Sequence, residues 1–270
     1  MYPKLQIGPL ALPTYGLAVL VAFTVSVWIA LRRAPRYGIS KSAVVDLAFY
    51  PLLAGVVGAR LLFILQEFHH MSWKEVLSFR FEGLTSFGGL IGGFIAVVVV
   101  CKRRGYSLSS MLDLLFPPFL VGQAIGRVGC VLNGCCFGRE CPQDLPWGMH
   151  FNHMEHAHHP AQLYESLILV GLFSLAILLE KRPLPKGVLA AVSVFFAGLA
   201  RFIYEFWRAG TIEEVKTGVA SSTRIGSLPL TEAHLVALAL MITGAIAYFV
   251  CRKNTTDRTI PTRKEEPGVS

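Results

Sequence analysis

Long apolar runs alternate with short polar and basic stretches over almost the whole chain. The first run, Thr14 to Leu31, has no basic segment ahead of it and is followed by Arg32, Arg33 and Arg36. That pattern predicts a retained membrane-spanning helix rather than a cleaved signal peptide. Ala43 to Leu65 is the second run, interrupted by Asp46, Pro51 and Arg60. The segment Gln66 to Phe81 mixes aromatic and charged residues, which suits an amphipathic helix lying in a membrane interface. Leu84 to Cys101 is the third run and ends at Lys102, Arg103 and Arg104. Within it Gly88 and Gly92, then Gly89 and Gly93, stand four apart, a spacing that lets a neighbouring helix approach closely. Leu112 to Ile125, with Pro117 and Pro118 inside, predicts a bent fourth span. Ala161 to Leu179, Gly187 to Trp207 and Leu230 to Val250 complete the set.

Basic clusters decide the orientation. Arg32, Arg33 and Arg36, then Lys102 to Arg104, then Lys181, Arg182 and Lys186, and finally Arg252 and Lys253 all fall on one predicted side. By the positive-inside rule that side is cytoplasmic, and about 15 of the 25 Lys and Arg residues lie there. The expected fold class is therefore an all-α integral membrane protein: a bundle of about seven transmembrane helices, N-out and C-in, with a small outer-face cap. The expected organisation is one transmembrane domain over residues 1–253. Its outer cap spans about 126–160, a second outer loop about 209–228, and a disordered cytoplasmic tail 254–270.

Composition supports the membrane class. The 270 residues are 53% hydrophobic and only 16% charged, with mean hydropathy +0.54; soluble domains carry roughly a quarter charged residues. The net charge of +8 is explained by the basic clusters beside apolar runs and gives no reason to expect nucleic acid.

Candidate chemistry gathers at the predicted outer ends of the spans. The stretch from Gly126 to Gly138, GRVGCVLNGCCFG, carries Arg127 straight out of an apolar run. Its four glycines argue against a regular helix through it. Arginine, glycine and the amide of Asn133 make a place that could hold a lipid head group; a plain interhelical turn with a snorkelling arginine fits the same residues. Glu165, Arg201, Glu205 and Arg208 lie near the same level, with Tyr15 and Phe87, and Arg60 is nearby. Charges inside spans are costly and usually functional, although buried ion pairs such as Arg201 with Glu165, or Arg201 with Glu205 at i,i+4 spacing, could serve packing alone.

Six cysteines are present, and Cys130, Cys135, Cys136 and Cys141 cluster on the predicted outer side. Disulfides are the expected state in an oxidising compartment. Metal binding is the rival reading, because His150, His153, His156, His158 and His159 follow closely. The spacing C-x4-C-C-x4-C matches no common zinc pattern, so no metal or other cofactor is expected.

These motifs in this order resemble one family. GRVGCVLNGCCFG is similar to the signature of the prolipoprotein diacylglyceryl transferases, and so are PTYG (13–16), SFGGLIGG (86–93), HPAQLYE (159–165), GLARFIYEFWR (198–208) and GSLPL (226–230). The resemblance implies a multi-pass enzyme of the bacterial inner membrane. Such an enzyme moves the diacylglyceryl group of phosphatidylglycerol onto the lipobox cysteine of a preprolipoprotein signal peptide, with glycerol phosphate released. It implies that Arg127 and Arg201 are the essential arginines, binding the head group and stabilising charge on the departing phosphate. It further assigns Tyr15, Gly88, Gly89, Gly126, Gly129, Asn133, Gly138, Gln162, Tyr164, Glu165 and Glu205 to substrate binding.

Four positions depart from the family pattern. Phe87 stands where a proposed basic His often precedes the glycine motif, Cys130 and Cys135 replace Asn and Glu, and Ala197 replaces Tyr. The base is therefore reassigned to His159, whose alternative role is as an interfacial or helix-capping residue. Two further readings stay open: a catalytically weak paralogue that binds anionic phospholipid, and a membrane thiol or metal-binding protein on the same scaffold.

Overall fold

The chain begins not with a helix but with a short antiparallel hairpin, β1 (Lys4–Ile7) and β2 (Leu10–Pro13), in which Lys4 faces Pro13. No element is predicted here from the sequence. Pro13 then leads directly into α1 (Thr14–Arg33), where an N-terminal proline is tolerated because the first amides have no helical partner. The structure is a computed structural model that describes residues 2–253 apart from 9, 68–85, 152–153, 218, 221 and 227. The interfacial helix expected in 66–81 and the tail 254–270 therefore fall largely outside the described residues.

Six further long helices follow, each close to a predicted apolar run: α2 (Lys41–Glu67), α3 (Ser86–Arg104), α4 (Leu108–Asn133), α5 (Ala161–Glu180), α6 (Val188–Tyr204), and, after a single-turn helix α7 (Ile212–Lys216), α8 (Glu232–Lys253). Among the described residues, six helices are long and apolar enough to cross a membrane. Large apolar side chains project outward from them, including Leu65 at 75%, Leu167 at 72% and Phe249 at 68% exposure. In water those surfaces would be costly, whereas hydrocarbon solvates them. The protein is thus a multi-span α-helical membrane protein.

No regular helix runs through all of Gly126–Gly138, since a left-handed Gly134 follows the end of α4 at Asn133, but Gly126 and Gly129 do not break it. A buried helix draws its stability from packing more than from propensity, so single glycines survive where a neighbour needs the space. At Gly129 a Cβ would lie 2.5 Å from Ala18 Cβ, so the glycine lets α1 and α4 touch.

The chain packs as two compact units, Ala30–Met111 and Met1–Ile29 with Leu112–Ser270. In the first, α2 and α3 cross through glycine: a Cβ at Gly92 would meet the Ala54 carbonyl, and one at Gly58 the Gly88 carbonyl. This is the close approach that the four-residue glycine spacing predicts. Arg104 pairs with Asp46 in the same unit, and the Arg60 guanidinium sits 5.5 Å over the Phe63 ring.

In the second unit, α6 and α8 pack through Gly198 and Gly244. A Cβ at Gly198 would lie 2.8 Å from the Ala237 carbonyl oxygen, and one at Gly244 2.6 Å from the Phe195 amide. At one end of this unit the fully buried Asp113 of α4 accepts hydrogen bonds from the backbone N–H groups of Gly187 (2.6 Å) and Ala190 (2.7 Å). A carboxylate from another helix thereby caps the N-terminus of α6, satisfying donors with no helical partner and opposing the positive end of the helix dipole.

Candidate active site

The other end of the same unit holds most of the residues singled out by sequence. The carbonyl of Leu132, near the end of α4, accepts from the Tyr2 amide at 3.0 Å. The α5 residue Gln162, fully buried, donates through Nε2 to the Cys135 carbonyl at 2.6 Å. Ser166, one turn further, donates to the Ala124 carbonyl at 3.0 Å. These bonds fix the first turns of α5 against the last turns of α4.

Segment 134–160 folds back over this end. The Gly138 amide donates to the His159 carbonyl at 2.8 Å, and the His159 amide to the Arg139 carbonyl at 3.0 Å. A Cβ at Gly138 would lie 2.8 Å from the carbonyl oxygens of both His159 and Trp207, so only glycine fits. The Phe137 ring stacks on the fully buried Phe151 at 5.2 Å, with the His158 ring edge-on at 5.0 Å. The segment therefore has a small core of its own. Loop 209–228 also has structure: α7 starts in a capping box between Thr211 and Glu214, and β3 (Ala209–Gly210) pairs in parallel with β4 (Ser222–Thr223).

Two ion pairs face this end. Arg127 Nε lies 2.6 Å from Glu165 Oε2. Arg201 Nη1 lies 2.5 Å from Glu205 Oε2, and Arg208 Nη1 is 3.7 Å from the same oxygen. Of the two pairings the sequence offers for Arg201, the one with Glu165 is corrected, because Glu165 belongs to Arg127, and the i,i+4 pair with Glu205 is the one found. Both carboxylates are buried, Glu205 completely, while the two guanidinium side chains remain 27% and 26% exposed. Tyr204 joins the pairs. Its ring lies 4.7 Å beneath the Arg201 guanidinium. Its buried hydroxyl has no hydrogen-bond partner of good geometry, yet it feels the charges of Glu165, Arg201 and Arg127.

The role of Tyr204 is not visible in the sequence. Nor is the support behind Glu205: Thr231 Oγ1 donates to Glu205 Oε1 at 3.2 Å, and His234 Nδ1 accepts from the Thr231 amide at 2.9 Å. That amide bond fixes the imidazole with its proton on Nε2, which is buried beside the Phe206 ring at 4.5 Å. A Thr-x-x-His pair at the start of an apolar run is the cue that could have found it, because only a buried polar partner justifies a fully buried histidine there.

Tyr15 of α1 lies where Arg127 and the cysteine group act on it electrostatically. Asn133 is the last residue of α4. At Gly126 a Cβ would meet nothing within 4 Å, so packing does not require glycine there. Gly88 and Gly89 belong to the other unit, where the Gly88 glycine is explained by its contact with Gly58. The Phe87 side chain and His153 lie outside the described residues.

His159 has a separate setting. Its Nδ1 lies 3.2 Å from the Tyr164 hydroxyl, which accepts from Trp147 Nε1 at 2.9 Å, and the Tyr164 ring packs edge-on to the Trp207 ring. Burial, together with the charges of Arg139 and His158, holds its pKa below the ordinary histidine value. The fixed positive charge acting on it is thus Arg139, not the two arginines of the ion pairs.

The cysteines also depart from expectation. All six are free thiols. Cys141 is buried apart, its amide bonded to the Ala157 carbonyl. The sulfurs of Cys130, Cys135 and Cys136 all lie within 4.8 Å of one another. Hydrogen bonding with Cys130 and Cys135, reinforced by the charges of Arg208 and Arg127, lowers the Cys136 thiol pKa. Among the described residues, no histidine joins this group.

Fold and site together define an integral membrane protein with a paired-arginine, paired-carboxylate centre at one end of a helix cluster. Comparison with known proteins makes the class specific. The family model described as prolipoprotein diacylglyceryl transferase matches residues 4–250, and the chain belongs to that family. It is 35% identical over 214 residues to a phosphatidylglycerol–prolipoprotein diacylglyceryl transferase of Bordetella avium, covering 76% of this chain and 80% of that protein. It is 30% identical over 259 residues to the protein of the same name from Bacillus cereus, covering 92% and 91%. The protein is a membrane transferase of this family.

Proposed function

We propose that the protein transfers the diacylglyceryl group of phosphatidylglycerol to the lipobox cysteine thiol of preprolipoproteins, forming a thioether and releasing glycerol phosphate. The observation that carries this reading is the charge of the centre. Three guanidiniums, Arg127, Arg201 and Arg208, face two carboxylates, Glu165 and Glu205. The group carries a net positive charge, which suits one phosphodiester. The Arg127 contact with Glu165 uses Nε, and its terminal amino groups are the proposed donors to the phosphate.

In the reaction the acceptor thiol loses its proton, and the thiolate sulfur attacks the glycerol carbon that bears the phosphate ester. The carbon–oxygen bond breaks, and its electron pair leaves with the phosphate, whose added charge Arg127 and Arg201 stabilise. Glu165, Glu205 and the buried Tyr204 position the two arginines. His159, kept neutral by burial, is the candidate base. If Nε2 takes the proton, Nδ1 must carry its own and donate to the Tyr164 oxygen. Tyr15, Gly126, Asn133, Gln162 and Tyr164 are the proposed binding residues around lipid and peptide, with Gly129 and Gly138 admitting the helix and backbone contacts that shape the site.

The proposed setting is the bacterial inner membrane, with seven spans, N-out and C-in, and the site on the outer face. Reporter fusions after Arg33, Arg104, Lys181 and Arg252 should read as cytoplasmic, and fusions at Asp144 and Thr217 as external. A cytoplasmic signal at Asp144 would invert the site. The decisive assay mixes purified protein, phosphatidylglycerol and a lipobox peptide, and looks for the thioether product. Phosphatidylglycerol binding without product would identify a catalytically weak paralogue instead.

A further inference from the structure

The three-cysteine group lies beside the proposed site and is not used by the mechanism above. Its geometry follows from how α4 ends. Gly134 adopts a left-handed conformation at φ 71°, the Cys135 amide bonds back to the Cys130 carbonyl at 3.1 Å, and the Gly134 amide bonds to the Val131 carbonyl at 3.0 Å. This pair of bonds is the Schellman termination, which brings together the residue in the helix's last turn and the residue just past the glycine. Here those two residues are Cys130 and Cys135. Cys136 follows with φ 63°, the one non-glycine residue at positive φ among the described residues. That backbone is unfavourable for an L-residue, and here it turns the third sulfur toward the other two, 3.8 Å from Cys135 Sγ. Gln162 then holds the Cys135 carbonyl from α5.

We infer that Cys130, Cys135 and Cys136 bind a thiophilic metal ion, Zn2+ or Cu+, through three thiolates. With metal–sulfur bonds of about 2.3 Å, three thiolates on one ion stand roughly 4 Å apart. Sulfurs already within 4.8 Å need close by less than an ångström or so. An odd number of thiols cannot be satisfied by disulfides, whereas one ion uses all three. A divalent ion on three thiolates carries one net negative charge, and Arg127 and Arg208 act electrostatically on this group from nearby. The protons displaced from the thiols pass to solvent.

A tetrahedral ion with three protein ligands is one ligand short, and such sites accept water or substrate in the fourth position. Cys130 lies one helical turn beyond Arg127, which sets the cysteine group beside the arginine centre. The ligand class we assign to the fourth position is the acceptor thiol, bound as thiolate; this second part rests on the transferase reading. It places thiol activation at two positions, Cys130 and Cys135, where the chain departs from its family's pattern.

The test uses the full-length protein, purified in detergent, reduced, stripped of metal and titrated with Co2+, then competed with Zn2+ and Cu+. One equivalent of Co2+ should produce an intense sulfur-to-metal charge-transfer band. Cys136→Ser, at an exposed position that should not disturb folding, should weaken binding on the order of tenfold or more. Cys141→Ser should leave binding unchanged. Absence of the band, or an unchanged affinity in Cys136→Ser, overturns the site. A lipobox peptide should shift the cobalt spectrum, and its Cys→Ser counterpart should not. An unshifted spectrum overturns the fourth-ligand assignment alone. Metal binding is read without transfer, so it stands or falls independently of the transferase assay.

Discussion

Two buried carboxylate regions occupy opposite ends of the same unit and are satisfied in different ways. Asp113 accepts backbone N–H groups of Gly187 and Ala190, donors that belong to the scaffold and cannot be given up without unwinding the start of α6. Glu165 and Glu205 meet guanidiniums that stay partly open to a ligand. Backbone donors commit the carboxylate's charge to architecture. Side-chain cations can share their remaining donors with an incoming anion while the carboxylate holds them in place. The first region should therefore govern stability, and the second should govern rate.

The largest effects test the arginines. Arg127→Ala and Arg201→Ala should each lower the transfer rate about a hundredfold or more, the cost of losing a charge-assisted contact to a developing anion. Lysine should restore little at either position, because an ammonium lacks the planar fork. If activity falls only in proportion to folded protein, the pairs are architectural like Asp113 and the contrast collapses. Asp113→Ala should do the reverse, costing about 2 kcal/mol of stability through the lost cap while the rate per folded molecule is kept. Thermal melting in detergent alongside single-turnover transfer separates the two outcomes.

Glycine substitutions sharpen the comparison within one helix. Gly129→Ala forces a Cβ into Ala18 and should lower stability by about 1–3 kcal/mol. Gly126→Ala enters open space and should gain up to about 1 kcal/mol from helix propensity. A loss of transfer in Gly126→Ala with a kept or raised melting temperature would mean that substrate approaches the helix there.

The smallest effect is a pH shift at His159. Its folded pKa lies below the ordinary 6.5, so the fold favours the neutral ring. Stability at this residue is complete above 6.5 and declines as pH falls from 6.5 through the lower folded value, because the unfolded chain then binds the extra proton. If His159 is the base, the acid limb of the transfer rate lies below pH 6.5, and Tyr164→Phe, which removes the partner of Nδ1, moves it. An acid limb untouched by His159→Gln assigns the base elsewhere.

Much of this was legible in the chain. Seven apolar runs became seven long helices, most with ends shifted by a few residues and the fourth extended from Ile125 to Asn133, because hydrophobic length is a local property that hydrocarbon enforces directly. Arg127, Arg201, Glu165 and Glu205 were recognisable because a charge within an apolar run is costly and is seldom kept without a use. The partner of Arg127 was not, and Arg201 was left with two candidates. Arg201 has Glu205 one turn away and Glu165 on another helix, and spacing alone does not rank them.

Other features needed the packed chain. Whether Gly126 and Gly129 break a helix depends on the neighbour's distance, and Ala18 settles that only once α1 lies against α4. The burial of Tyr204 and the Thr231–His234 support of Glu205 arise where α6 meets the start of α8. The cysteines show the division most directly. Their number and spacing are in the sequence, but the predicted outer compartment favoured disulfides and the spacing argued against a metal. A helix end with a left-handed glycine and a left-handed Cys136 turned three of the four thiols toward one point and left Cys141 buried elsewhere. Composition and periodicity thus determined the membrane class, the helices and the residue types of the centre, since these depend on solvent and local geometry. Pairing and convergence were decided by tertiary structure, because each depends on distances between segments that the order of residues does not contain.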